Sequence, residues 1–317
     1  MIPERDASPS SVGQLPKPWG MFLIALTGVL VGMLLAGPQT ARAAWDQVAR
    51  FLSLEGEPAP ASANVLSEHE IEGLDRATPQ SQAQLLLERS INHYRGANEQ
   101  IAARVGAWRG RITLDSALGG LFTTALNSDD LRVRAAAIEI DIVARDLEKS
   151  AATMERLEPA AVSGEQGPRA NALWDMALIG NRGVEPDRAL EVLLGAVRDP
   201  NENIRYWAVE GLAYLGTDGV VTPLLDVFHD DPSPMIRERA ACGLSQSGML
   251  SERQRRTAVP RLLDFAEDWS LDAKTREWVF QALRDITGQT LAHDASAWRQ
   301  WYAAGRPRWN PVTRDGR

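Results

Sequence analysis

Residues able to do acid–base or metal chemistry are few in this chain of 317 residues. It holds one cysteine, Cys242, and four scattered histidines, His69, His93, His229 and His293. One thiol makes no internal disulfide, and no Cys/His spacing matches a zinc site. His69-Glu70 is a single His-Glu pair, too few ligands for a metal centre. His229-Asp230-Asp231 has the composition of a general-base cluster, but it falls at an inter-helix turn, where aspartates act as caps. Cys242 lies beside Ala240, Ala241 and Gly243, small residues suited to a packed helix interface, whereas a reactive thiolate needs a cationic, exposed setting. No P-loop, strand-linked G-x-G-x-x-G, G-x-S-x-G or H-E-x-x-H occurs. The expectation is a non-enzymatic protein with no catalytic residue, no metal and no cofactor.

The elements that position these residues are helices. Hydrophobic residues make up 44% and charged residues 24% of the chain, the balance of a folded protein, and no alternating β-branched run appears, so the body reads as all-α. The formal net charge of -8 repels phosphate backbones and argues against nucleic acid as a partner.

After a leader of residues 1–18, residues 19–37 are uncharged and almost wholly apolar. As a helix they span roughly 28 Å, close to the hydrocarbon thickness of a bilayer. Two readings compete. In the first the segment is an uncleaved single-pass anchor. In the second it is a secretory signal, because Ala41-Arg42-Ala43 has the small-x-small form of a cleavage site. The long, nearly charge-balanced leader (Glu4, Arg5, Asp6, Lys17) favours the anchor. The flanking charges tie, so the helical body falls on the exported side only as the better reading, and a periplasmic or secreted chain cleaved after Ala43 is the alternative. Gly28 and Gly32, followed by Ala36, are a small-residue row through which two membrane helices can approach as a homodimer.

Residues 38–65 read as a flexible linker around the Pro/Ala/Ser-rich GEPAPASAN stretch. Residues 66–112 form an N-terminal helical region. Ser67 to Glu70 has capping-box spacing, Thr78-Pro79 places proline at a helix start, and a further helix spans about 98–109.

From 113 to 289 the chain repeats itself. Ile204-Arg205-Tyr206-Trp207-Ala208 with Gly211-Leu212 and Leu215-Gly216 returns as Ile236-Arg237-Glu238-Arg239-Ala240 with Gly243-Leu244 and Ser247-Gly248. It returns again as Thr275-Arg276-Glu277-Trp278-Val279 with Ala282-Leu283 and Thr287-Gly288. Looser copies centre on Arg134 and Arg169. Each unit has a leucine-faced first helix, an Asp-Pro turn (Asp199-Pro200, Asp231-Pro232), and an alanine-bearing second helix ending at a glycine that can cap in the left-handed region. The third copy has Trp269-Ser270-Leu271-Asp272 where the others have Asp-Pro.

These D-P-x-x-x-[IV]-R-x-x-A-x-x-[GA]-L strings resemble the HEAT-repeat family, including the short HEAT-like repeats of phycobilin lyases. The resemblance implies an α-solenoid of helical hairpins, here preceded by one apolar membrane helix. It also implies structural roles for Asp199, Arg205, Asp231, Arg237 and Arg276, which hold adjacent repeats together. A lyase-type enzyme is the remote alternative; deoxyhypusine hydroxylase, which also uses HEAT-like repeats, needs several His-Glu pairs inside the repeats, and the one pair His69-Glu70 outside them does not make that site. A solenoid presents a long concave face suited to segments of another protein, so the expected role is a membrane-anchored scaffold or adaptor. The candidate binding surface is the face of the second helices, with Tyr206, Glu210 and Glu238 pointing outward. Residues 290–309 form a Trp-rich end, where Trp298, Trp301 and Tyr302 share one helix face. They read as a cap on the last repeat or, alternatively, as an aromatic binding patch. Residues 310–317 close a basic tail, counted from Arg299 and Arg306.

Overall fold

The computed structural model describes residues 64–305. The leader, the 19–37 apolar segment with Gly28 and Gly32, the Ala43 junction and the 310–317 tail lie outside the described residues. Among the described residues no helix is long and apolar enough to cross a membrane.

The described chain is helical, and its one β-type contact is an isolated bridge between Val65 and Arg95. Five helices come first: α1 (Glu68–Arg76), α2 (Pro79–Ile91), α3 (Ala97–Trp108), α4 (Ser116–Leu126) and α5 (Leu131–Ala144). The starts expected from sequence are present. Ser67 and Glu70 form a capping box at α1, and the Thr78 hydroxyl caps α2 just ahead of Pro79.

The stacked array follows. Its first helices are α6 (Ala151–Ala161), α8 (Pro186–Ala196) and α10 (Val221–Asp230), and their second helices are α7 (Gln166–Asn181), α9 (Glu202–Leu215) and α11 (Pro234–Ser245). A short α12 (Glu252–Thr257) leads into α13 (Val259–Glu267), which pairs with α14 (Ala273–Thr287). α15 (Ala295–Ala303) packs on α13 and closes the end. Second helices pack side by side, α7 on α9, α9 on α11 and α11 on α14. Gly211 sets the approach within one hairpin: a Cβ there would lie 2.5 Å from Leu193 Cδ2, so glycine lets α9 close on α8.

Sequence placed α4 and α5 inside the repeat array, but α5 leaves it. Its segment VRAAAIEIDIV lacks a polar face, which is the pattern of a helix buried all round. Val133, Ala136, Ala137, Ile140 and Val143 join the core of α1–α4, whereas Leu131, Ala135, Ile138 and Ile142 join the core of the stacked array. Each fully buried isoleucine contributes roughly 1.5–3 kcal/mol of transfer free energy, so α5 fuses the two cores. Arg134, read from sequence as a repeat arginine, is buried and donates to the carbonyls of Gly248 (2.6 Å) and Gln246 (2.8 Å), more than a hundred residues away. The regular stack begins at α6.

Candidate interaction surface

The repeat positions form a ladder of arginines and aspartates. Arg169 meets Asp199 at 2.6 Å, Arg205 meets Asp231 at 2.8 Å and Arg237 meets Asp272 at 2.9 Å. Each arginine reaches the turn of the following hairpin and also holds a carbonyl before its own helix: Ala161, Asp199 and Asp231 respectively. The turn aspartates do not cap the helices as expected. Asn201 and Ser233 are the N-cap residues, and Asp199 and Asp231 accept from their backbone amides two residues on, leaving carboxylate oxygens for the arginines. In the third copy Asp268 makes the same turn onto Ser270, and Asp272, two residues beyond the aligned N-cap position, both caps α14 and receives Arg237. Glycine closure holds for Gly216 and Gly288, both left-handed C-caps. Gly180 instead lies inside α7, where a Cβ would meet Leu215 at 2.7 Å.

Three sides of each second helix are occupied. On α9, Gly211 faces α8 and α7, and Ala213 faces α11, where a Cβ on Gly243 would meet it at 3.0 Å. The remaining side, read at helical spacing, presents Tyr206 and Glu210 on α9, Met235, Glu238 and Cys242 on α11, and Glu277 and Gln281 on α14. Glu238 and Glu277 are exposed, and Met235 is 50% exposed. Glu210 was expected outward, but it is 8% exposed and held by both Nε and Nη2 of Arg239. Its column is tucked below the neighbouring side chains, and a carboxylate there is stable only because it is paired. Tyr206 is half-buried and its hydroxyl is pushed to a higher pKa, by burial first and then by Glu210.

α5 covers one end of this face. Trp174 of α7 donates its indole N–H to Asp141 at 2.9 Å, Arg145 bridges Asp141 (2.9 Å) and Asp175 (3.4 Å), and Arg182 lies 3.7 Å from Glu139. Burial first, and then Asp141, push the Asp175 carboxyl up to about 6 against the pull of Arg145. Edge-on rings continue from Trp174 to Tyr214 and to Trp207, and from Trp207 to Tyr206. The open face therefore begins at Tyr206 and runs across α11 to α14. This cluster was missed from sequence, although apolar residues on every side of α5, with Glu139 and Asp141 set among them, were its available signal.

The cysteine and the histidines are not brought together on this face. Cys242 is half-buried, and burial raises its pKa, as do Glu238, Asp285 and Glu210. The carboxylates near it outnumber the one guanidinium, Arg239. The histidines stand apart. His93 lies 3.6 Å from Asp130, His293 stacks on Phe280, and His229 bridges Asp230 and Asp268 while tilted on Phe265. Among the described residues no group of three His, Cys, Asp or Glu could hold a metal ion.

The Trp-rich end is a seal. Trp298, offered from sequence as a binding residue, is fully buried and donates to the Ala292 carbonyl at 3.1 Å. Trp301 packs edge-on against it and is half-buried. Arg299, counted from sequence with the basic tail, belongs to the fold and pairs with Asp264 and Glu267 of α13.

Stacked helical hairpins with an interlocking turn ladder define an α-solenoid. Residues 153–245, from α6 to α11, match the family model for HEAT repeats. No curated protein matches the chain.

Proposed function

We propose that this chain is a non-enzymatic scaffold that binds another protein along the outer side of α9, α11 and α14, held at a membrane by residues 19–37 with the solenoid on the exported side. The observation that carries the binding role is the open row from Tyr206 through Met235 and Glu238 to Glu277. It lies on a rigid stack whose other sides are packed, and HEAT repeats commonly serve protein–protein binding. The uncharged 19-residue run supports the anchor, with a periplasmic or secreted protein cleaved after Ala43 as the second reading.

A photo-crosslinking residue at Glu238 in the host cell, with one at the exposed Glu155 of α6 as control, tests the binding role. A discrete covalent adduct from position 238 alone is expected. Equal labelling at both sites, or none, removes this face as the binding surface. Membrane fractionation with amino-terminal sequencing tests the anchor: an intact leader in the membrane fraction is expected, and a soluble chain beginning at Ala44 transfers the proposal to the cleaved form.

A further inference from the structure

The ladder has one rung without its acid. Arg169, Arg205 and Arg237 each grip an aspartate of the next turn. Arg276 occupies the same position on α14, yet among the described residues no carboxylate pairs with it. Its guanidinium lies instead over the Trp269 ring, 5.3 Å from the centroid. The next turn in the stack would follow α15, and the two described residues beyond that helix, Ala304 and Gly305, carry no carboxylate. α15 thus supplies the first helix of a further hairpin, and among the described residues no second helix follows it.

Trp269 is 89% exposed, the most open large apolar side chain in the described structure. It stands directly after Asp268, where the two preceding turns have Pro200 and Pro232. Trp and Arg are the residue types that dominate binding energy at interfaces, and here they lie together at the open end of the ladder. The three filled rungs show what this position accepts: a carboxylate on a tight turn, approached by a guanidinium that already points along the stack.

We infer that Arg276 and Trp269 form a docking site for an aspartate-bearing turn of a partner protein, which completes the ladder as the chain's own turns do at Asp199, Asp231 and Asp272. The carboxylate takes the Arg276 guanidinium and an apolar neighbour covers the Trp269 ring. The inference rests on the scaffold reading but uses the end of the stack rather than the open face. Variants at Arg276 therefore leave crosslinking from Glu238 unchanged if only this inference fails.

The test is fluorescence polarisation of the full chain with a labelled peptide copying its own acceptor turn, Val227–Pro234 (VFHDDPSP), beside the same peptide with Asp231→Asn. Saturable binding is expected, weakened on the order of tenfold by Arg276→Glu, by Trp269→Ala and by the asparagine peptide, as for loss of one charge-assisted pair. Arg253→Glu, an equal charge change at an exposed site, is expected to bind as the parent does, and Arg276→Lys is expected to keep part of the affinity. Absence of saturable binding, or equal losses in the Arg253 and Arg276 variants, overturns the inference. So does a chain that is dimeric as the parent and monomeric as Arg276→Glu, which would make a second copy the occupant.

Discussion

Arg205 of α9 holds Asp231 of the following turn through Nε at 2.8 Å and Nη2 at 3.2 Å, with both side chains nearly out of solvent. The pair raises the Arg205 pKa, chiefly through the hydrogen bond to Asp231. Arg237 makes the corresponding contact with an Asp272 side chain that is half exposed. Burial sets the difference in what each contributes. Arg205→Ala leaves a buried carboxylate without its cation and is expected to cost about 3–5 kcal/mol, whereas Arg237→Ala is expected to cost about 1 kcal/mol or less from its ion pair. Urea unfolding of the two variants checks the order, and equal losses would contradict it.

Gly248 has φ +76°, and a Cβ there would lie 2.3 Å from the Ala213 carbonyl oxygen. The same loop supplies the Gly248 carbonyl to Arg134 and the Met249 amide to Ala213. Gly248→Ala must therefore displace a backbone that two other elements hold. A loss of about 1–3 kcal/mol, the cost of a strained left-handed residue, is expected in thermal unfolding. Gly288 also has positive φ but meets nothing within 4 Å, so Gly288→Ala is expected to cost less.

Asp175 has its pKa raised from 3.8 to about 6, by burial first and then by Asp141. A carboxyl raised on folding favours the folded state below its unfolded pKa, and that advantage is lost as pH rises through the folded value. Stability is therefore expected to fall between pH 3.8 and about 6 through this group. Asp175→Asn removes the penalty and is expected to stabilise the protein at neutral pH by up to about 2–3 kcal/mol. Melting temperatures of both proteins across pH 4–8 read the effect, and an Asn variant less stable than the parent at pH 7.5 would refute it.

His229 ties the end of α10 to the α13–α14 turn. Burial opposes charge on its ring, but Asp230 and Asp268 outweigh that, so its pKa lies above the ordinary 6.5. The bond to His229, with Ser270, holds the Asp268 carboxyl down at about 2. Stability from the protonated histidine is fully present below pH 6.5 and is lost as pH rises through the raised value. Histidine NMR is expected to show this ring titrating above 6.5 in the parent and moving down in Asp268→Asn. An unmoved titration would show that Asp268 does not hold the proton.

Much of the architecture is written locally. Ser67 and Glu70 announce α1, Thr78-Pro79 announces α2, and the recurrent Arg, Ala and Gly positions mark α9, α11 and α14 as copies of one hairpin. These patterns repeat over three to four residues within a helix and over one hairpin along the chain, so neighbouring residues carry them. Residues 153–245, which match the HEAT model, include the α9 and α11 copies.

Tertiary structure decided which of these residues face outward and which charges meet. Glu210 and Glu238 lie on the outer side of neighbouring second helices, yet Glu210 is buried because Arg239 of the next hairpin folds over it. Trp298 shares a face with Trp301 by spacing, but only the packing of α15 on α13 makes it a plug. Asp199 and Asp231 look like caps until the arginine of the preceding hairpin arrives. Arg134 has a repeat arginine's local sequence and keeps the carbonyl contact before its own helix, at Ser128, but because α5 is caught between two cores it reaches the carbonyls of Gln246 and Gly248 where the others reach a turn aspartate. Helical periodicity is set by bonds between near neighbours, whereas burial and ion pairing depend on segments tens to hundreds of residues away, brought together by the whole stack.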